Sequence, residues 1–381
     1  MSDMRREFVE LASKEGVNMT ELCTGFSISR KTGYKWLERY RTEGVAGLVD
    51  QSRRPKSSPG QTCAGMEELV VSLRGTHSEW GGRKLRRRLQ DTGVQDVPAA
   101  STITEILRRS QMLTKPERTG KFIRFERSEP NELWQMDFKG HFELGIGKRC
   151  HPLTVLDDHS RYAVVLQACS NEQHGTVQER LRNAFRQYGL PQQMLMDNGS
   201  PWGSGTRDSP WTALTVWLLR LGVRVSHGRP YHPQTQGKEE RFHRTLKAEV
   251  LQGRVIRDYL ECQTRFDSWR VIYNHERPHE ALGLAVPGTR FCRSQLVYPE
   301  QLAEMEFSAI DQVRKVQKGG WIGFQGREWN VSKAFTGERV GVRPTMIDGE
   351  WDVWFGPQCL GMLDQHADAE NRRVVRRPRK G

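Results

Sequence analysis

Between residues 131 and 290 the apolar runs arrive in an order that points to an α/β layer. Three short strand-like runs follow one another, LWQMDFKG, RCHPLTVLDDHS and YAVVLQACS. Helical and strand-like stretches then alternate: TVQERLRNAFRQYG, QQMLMD, WTALTVWLLRLG, VRVSH and KEERFHRTLKAEVL. Short apolar runs read as strands, and longer runs with a 3.6-residue period read as helices. The pattern predicts one mixed, five-stranded sheet with helices packed on it.

Acidic residues occupy telling places in that order. Asp137 lies inside the first run. Asp197 ends the fourth, after Met194, Leu195 and Met196, and the Asn198-Gly199 turn behind it leaves its carboxylate exposed at the strand's end. The two acids can meet if those strands are neighbours. In the helix that begins near Lys238, the residues Phe242, Leu246 and Val250 form the buried stripe, at i, i+4 and i+8. Glu239 falls on that same side. Glu240, spaced three, four and seven from His243, Arg244 and Lys247, shares a polar, cationic face with them. A carboxylate there suits metal binding beside groups that hold phosphates, with Glu239 as the alternative. Asp137, Asp197 and Glu240 together would supply the oxygen ligands that hard divalent cations take.

The chain carries 59 Lys and Arg against 46 Asp and Glu, a net charge of +13, with an isoelectric point near 9.6. A surplus of that size favours a polyanionic partner, most simply nucleic acid. An anionic membrane would attract the same charge, but no apolar stretch approaches the roughly 20 residues that span a bilayer. The start, MSDMRREF, lacks an apolar signal region, so a cytoplasmic location is expected. The seven cysteines are scattered singly, without CxxC or His-Cys ligand spacing, which predicts reduced thiols rather than zinc or disulfides.

Residues 4 to 40 predict three short helices in the manner of a helix-turn-helix. Ser29 is the expected N-cap of the third. Its Tyr34, Leu37 and Tyr40 would pack inward and leave Arg30, Lys31 and Lys35 outward, as DNA contacts or as a solvated face. A second helical module follows, with Ser101 as an expected cap and Ile103, Ile106 and Leu107 on one face. Its basic residues, notably Arg83, Lys84, Arg86, Arg87 and Arg88, would supply phosphate contacts. Two such modules in tandem favour double-stranded DNA over other polyanions.

The boundaries so read are a helix-turn-helix over 1–50, a basic linker over 51–65 and a second helix-turn-helix over 66–113. A linker over 114–130 leads to the core over 131–290, then a small β-barrel over 291–370 and a basic tail over 371–381. The barrel is expected from short, glycine-punctuated strand-like runs such as KVQKGGWIGFQGREWNVS and GEWDVWFGPQCLGMLD.

Five pieces in order, WQMDFKG, LDDHSRY, MDNGSPW, SHGRPYHPQTQGKEERFHRTLK and YNHERPHEALG, carry a specific resemblance. The core resembles the retroviral-integrase-type, RNase H-like catalytic domain of bacterial insertion-sequence transposases, the DDE superfamily. With the amino-terminal modules the resemblance covers roughly residues 5 to 290. One departure is that 42 residues separate Asp197 from Glu240, more than the family's commonest spacing, and the excess is placed in the loop WGSGTRDSP.

The resemblance implies that Asp137, Asp197 and Glu240 bind two divalent ions, Mg²⁺ or Mn²⁺. It implies hydrolysis of a strand at the element's end, then attack of the freed 3′-hydroxyl on target DNA, with Arg244 and Lys247 holding phosphates. It also implies a homo-oligomer assembled on DNA, associated with the bacterial nucleoid. Asn198 and Gly199 would shape the turn behind Asp197, and His232 and Gln234 would belong to a loop over the site. The carboxy-terminal barrel resembles the SH3-like domains of integrases and transposases.

Several other residues have blander readings. Asp157 and Asp158 are expected to shape a turn with Arg161, and His141, His151, His159 and His275 to serve packing or surface. Arg277-Pro278-His279 is expected to close the core structurally, and Trp211, Trp217, Leu218 and Leu219 to fill the core or a subunit contact. Two other functions stay open. One is a transposase-derived repressor, which has no need of three intact acids. The other is an RNase H-like nuclease, which has no need of two recognition modules.

Overall fold

The computed structural model describes residues 2–50, 62–113, 126–203, 210–228 and 237–366. Most of the two expected linkers, residues 204–209 of the insert, His232, Gln234 and the tail over 371–381 lie outside the described residues. The chain divides into two compact units, Met1–Thr62 and Cys63–Gly381.

The first unit holds α1 (Ser2–Ala12), α2 (Met19–Gly25) and α3 (Arg30–Glu43). Ser29 caps α3 as expected, accepting from the Thr32 amide at 3.2 Å. The inward stripe of α3 differs from the expected one. Tyr34 is 49% exposed, and Gly33 and Leu37 are buried, with Trp36 and Tyr40 packed beside them. A Cβ at Gly33 would collide with Cys23 and Phe8, so the close approach of α1 and α2 sets the phase of the helix. Arg30, Lys31 and Lys35 are exposed, and Tyr34 stands among them.

The second unit opens with α4 (Ala64–Thr76), α5 (Gly82–Asp91) and α6 (Ala100–Arg109) around Trp80, Leu85, Leu89, Ile103, Ile106 and Leu107. Ala99, not Ser101, holds the cap position of α6. The Ile103 amide reaches the Ala99 carbonyl at 3.0 Å, which closes the first turn before Ser101.

The core contains β1 (Trp134–Phe138), β2 (Phe142–Glu143), β3 (Arg149–Asp157), β4 (Ala163–Cys169), α7 (His174–Tyr188) and β5 (Gln193–Met196). It continues with α8 (Ala213–Arg220), β6 (Arg224–His227), α9 (Gly237–Leu246) and α10 (Tyr259–His275). The sheet runs β4-β3-β1-β5-β6, with the short β2 beside the start of β3. Pairs β1–β3 and β3–β4 are antiparallel, while β1–β5 and β5–β6 are parallel, so the sheet is mixed. Strand alternation sends Leu156, Ala163 and Leu166 to one face, against Phe242 and Leu246 of α9 and Phe266 and Tyr273 of α10. It sends Trp134, Met136 and Val155 to the other, against α7 and α8.

Six strands follow: β7 (Gln312–Lys315), β8 (Trp321–Phe324), β9 (Arg327–Asn330), β10 (Arg339–Pro344), β11 (Glu350–Phe355) and β12 (Gln358–Asp364). They form a four-stranded antiparallel sheet, β12-β11-β10-β7, and a separate hairpin, β8-β9. The expected closed barrel is not formed among the described residues. Gly319 and Gly320, both at φ +90°, turn the chain between β7 and β8, and the bridge from Gln317 to Trp321 closes that turn. These sheets cover α8. Trp211 meets Phe335 edge-on at 5.8 Å, and Arg220 pairs with Glu338 at 3.2 Å. An apolar run on every side of α8, which includes Leu214, Trp217, Leu218 and Leu219, is thereby buried. No helix among the described residues is long and apolar enough to cross a membrane.

Candidate active site

Strand register brings the first two acids together. β1 and β5 are parallel, with Trp134 opposite Met194 and Gln135 opposite Leu195. Two residues further along each strand direction stand Asp137 and Asp197. Asp137 projects from the side of the sheet that α9 covers, and Asp197, one residue past the end of β5, is close enough for its charge to act on Asp137. The Gly199 amide donates to the Asp197 carboxylate at 2.9 Å, and Asn198 Nδ2 donates to the Gly228 carbonyl at 2.9 Å. The turn behind Asp197 thus has the chemistry its Asn-Gly pair implied. A Cβ at Gly203 would collide with the Asn198 main chain, so this loop folds tightly back on the acid.

Trp202 was not evident from sequence. Its indole N–H donates to the Asp197 carboxylate, and its ring stacks on Phe138 with centroids 5.3 Å apart. A buried tryptophan needs a partner for its N–H. That requirement, applied to a Trp five residues after an acid, was the available signal.

The first turn of α9 is anchored from below. Lys238 forms an ion pair with the fully buried Asp158, which also accepts from the Arg127 amide at 2.8 Å and Gln135 Nε2 at 2.6 Å. Asp157 accepts from Ser160 Oγ at 2.5 Å and from the Ser160 and Asn131 amides at 2.7 Å. Arg161, at φ +65°, bonds the Asp158 carbonyl. Both acids therefore shape the turn, and Asp158 has the added task of holding α9. Phe242, Leu246 and Val250 are buried, Glu239 is wholly buried with them, and Glu240 is exposed.

The electrostatics centre on Asp137. Burial, then the charge of Asp197, pushes its carboxyl up to about 7, with Glu172 and Glu240 adding to the rise against a lowering bond from the Phe138 amide. Glu172 is a further acid that sequence reasoning missed, and His151 Nδ1 holds it at 2.8 Å. Cations flank the group. Burial and the neighbouring charge of Lys247 lower the Lys139 ammonium, and Arg244 and Lys247 are exposed on the free side of the helix. Burial, then Lys139, pushes His243 down to about 3, so the ring is neutral. Among the described residues no three His, Cys, Asp or Glu side chains close into a ready-made cation cage.

Other predicted residues are placed elsewhere. Arg83 lies 3.8 Å from Glu280, and Arg88 pairs with Glu276 at 2.5 Å, so α5 faces acids that follow α10. Burial, then the charge of Arg277, lowers Lys84 to about 8, and Glu249 and Glu280 are also near it. Lys84 is half-buried, while Arg86 is exposed. Arg277 pairs with Glu249 at 3.0 Å and His279 packs edge-on against Tyr273 at 4.6 Å, which gives this segment a structural part.

Comparison with known families accounts for most of this layout. A helix-turn-helix domain profile matches residues 4–56, a homeodomain-like domain 32–107, and integrase core domains 127–233 and 221–287. The C-terminal domain of IS481 family transposases matches residues 311–371. The chain has the domain set of an insertion-sequence transposase. The chain is 25% identical over 270 residues to the 39.2 kDa protein of insertion element IS476 from Xanthomonas euvesicatoria, covering 68% of the present chain and 74% of that one. To the 31.7 kDa protein of insertion element IS407 from Burkholderia multivorans it is 25% identical over 224 residues, 57% of this chain and 77% of that one. Among solved structures, a chain of the simian T-cell lymphotropic virus intasome in complex with PP2A regulatory subunit B56 gamma aligns with a TM-score of 0.40 and 13% identity. That alignment covers 74% of this chain and 91% of that one.

Proposed function

We propose that this chain is a transposase that acts in the cytoplasm on double-stranded DNA, cleaving a strand at each end of its element and joining the freed 3′-hydroxyl to a target. Asp137, Asp197 and Glu240 are its catalytic acids. The observation that carries the reading is the parallel register of β1 and β5, which sets Asp137 and Asp197 side by side with Glu240 near enough to raise the Asp137 carboxyl.

The donor set fits hard divalent ions. It consists of carboxylate oxygens, and their mutual repulsion is of the kind a cation relieves. The three acids would hold two Mg²⁺ or Mn²⁺ ions, which when bound supply Lewis-acid stabilisation of attacking and leaving oxygens. The chain's own residues do the rest. Trp202 and the Gly199 amide fix the Asp197 carboxylate, and the Lys238–Asp158 pair fixes the turn that presents Glu240. Lys139, Arg244 and Lys247 hold phosphates along one flank, where each fixed positive charge lowers the cost of charge accumulating on a phosphorus centre. Arg30, Lys31 and Lys35 of the first helical unit, and Arg83 of the second module, bind DNA by their charge. Assembly on DNA brings copies of the chain together on the two ends.

The test is strand transfer in vitro on short duplexes carrying the element's ends, with Mg²⁺. The wild type should cleave and join. Asp197→Asn and Glu240→Gln should each lose activity by more than the roughly 10- to 100-fold typical of outer-shell partners. Glu239→Gln should keep far more activity than Glu240→Gln. Cleavage without joining would favour a nuclease, binding alone a repressor, and full activity of Glu240→Gln would remove Glu240 from the site.

A further inference from the structure

Thr154 stands directly opposite Asp137 in the antiparallel β1–β3 register, so the two side chains share the face that α9 covers. Its hydroxyl is wholly buried and has three neighbours. The Asp137 carbonyl lies at 3.0 Å, Glu239 Oε2 at 3.0 Å and His243 Nε2 at 2.8 Å. His243 Nδ1 lies 3.9 Å from Asp137 Oδ2, and Glu239 Oε2 is 3.6 Å from His243 Nε2. One oxygen thus ties the strand of the first acid to two successive inward positions of the helix that carries the third.

Proton counting limits how this node is wired. A hydroxyl donates one hydrogen and accepts up to two. The Asp137 carbonyl can only accept. Thr154 Oγ1 lies within donating distance of both the Asp137 carbonyl and the Glu239 carboxylate, and it serves one of them at a time. Glu239 meets this node through Oε2, while its Oε1 is buried without a partner among the described residues.

Resting on the metal-site reading above, we propose that Thr154 is the positioning residue of the candidate centre, locking Asp137 to α9 through His243 and Glu239 and so presetting the separation of Asp137 from Glu240. Glu239 serves in this node as a buried hydrogen-bond partner and not as a ligand. A hydrogen-bonded node between rigid elements is the usual way outer-shell groups tune an ion site.

The test uses the full chain and Mn²⁺ alone, followed by calorimetry and by the spin resonance of bound Mn²⁺, with circular dichroism to confirm folding. Thr154→Val keeps the side-chain shape and removes the hydroxyl, and its Mn²⁺ dissociation constant should rise about 10- to 100-fold. Thr154→Ser, which restores the hydroxyl, should bind close to wild type. Glu239→Met should weaken binding in the same way, while Glu239→Gln, whose amide oxygen can still accept from Thr154, should not. These two keep the proposal testable if Thr154→Val does not fold. Wild-type affinity in Thr154→Val or Glu239→Met overturns the proposal, as does a Thr154→Ser as weak as Thr154→Val. A wild type that binds no Mn²⁺ overturns the metal-site reading and this proposal with it, whereas normal wild-type binding with an indifferent Thr154→Val overturns this proposal alone.

Discussion

Trp202 donates its indole N–H to the carboxylate of Asp197 while its ring lies on Phe138, the residue after Asp137. One side chain therefore touches the surroundings of both strand-borne acids. Trp202→Phe keeps the stacking and removes the donor. It should lower Mn²⁺ affinity and strand cleavage by about 10- to 100-fold, with a melting temperature close to that of wild type. Calorimetric titration beside a cleavage assay checks this, and wild-type values in both would show that the indole N–H is not the support.

The raised Asp137 carboxyl gives a pH signature with a definite sign. Its ordinary value is 3.8 and its folded value about 7, so the folded, metal-free chain binds this proton more tightly than the unfolded chain. Stability from this group is therefore full below about pH 4 and is lost progressively as pH rises to about 7. Asp137→Asn removes the dependence. Without metal it should melt above wild type at pH 8 and together with it near pH 4. Saturating Mg²⁺ should reverse the order at pH 8, because only the wild type gains from binding. Melting curves across pH, with and without Mg²⁺, decide it. A wild type whose metal-free stability is flat from pH 4 to 8 would contradict the shift.

The sequence made the sheet legible because its signals are local. Apolar run lengths marked the strands, Asn198-Gly199 marked the end of β5, and the spacing of Phe242, Leu246 and Val250 separated buried Glu239 from exposed Glu240. The supports of the site were not legible, since they join positions far apart in the chain. Lys238 reaches back to Asp158, Thr154 reaches forward to His243, and no periodicity marks a hydrogen bond across such separations. Tyr34 misled for a related reason. An apolar i, i+3, i+6 series is a plausible stripe, but the tight approach of α1 and α2 gave the inward position to Gly33. The expected barrel is not closed among the described residues because closure depends on which strands pair, and here β8 and β9 pair only with each other, which strand count and glycine spacing do not reveal.

Lys84 is half-buried, with Arg277, Glu249 and Glu280 near it. Burial lowers its ammonium to about 8, so the charged form is disfavoured in the fold. That penalty is fully present below pH 8 and fades as pH rises toward the ordinary value of 10.5. Lys84→Met should therefore melt at or above wild type at pH 7, with the difference shrinking at high pH. Its binding to duplex DNA should keep the wild-type salt dependence. The exposed Arg86 should behave oppositely: Arg86→Ala should reduce the slope of log affinity against log salt by about one. Salt titrations of the two variants separate these outcomes, and a lower slope for Lys84→Met would return that residue to the DNA surface.

The apolar residues of α8 have no solvent-facing side to spare. Leu214 and Leu218 are wholly buried, Leu219 is 1% exposed, and the same apolar cluster continues through Phe335 and Phe355 to Leu363 in the carboxy-terminal sheets. A cluster shared in this way cannot lose one half without exposing the other to water, so the core and these sheets should unfold together. Phe335 is wholly buried between Trp211 and Phe355, and truncating it should cost about 3–5 kcal/mol. Phe335→Ala should lower one transition seen equally by a core probe and by a probe in β10 to β12. Two separate transitions, with Phe335→Ala shifting only the later strands, would show that the carboxy-terminal sheets fold as an independent domain and that α8 keeps its burial without them.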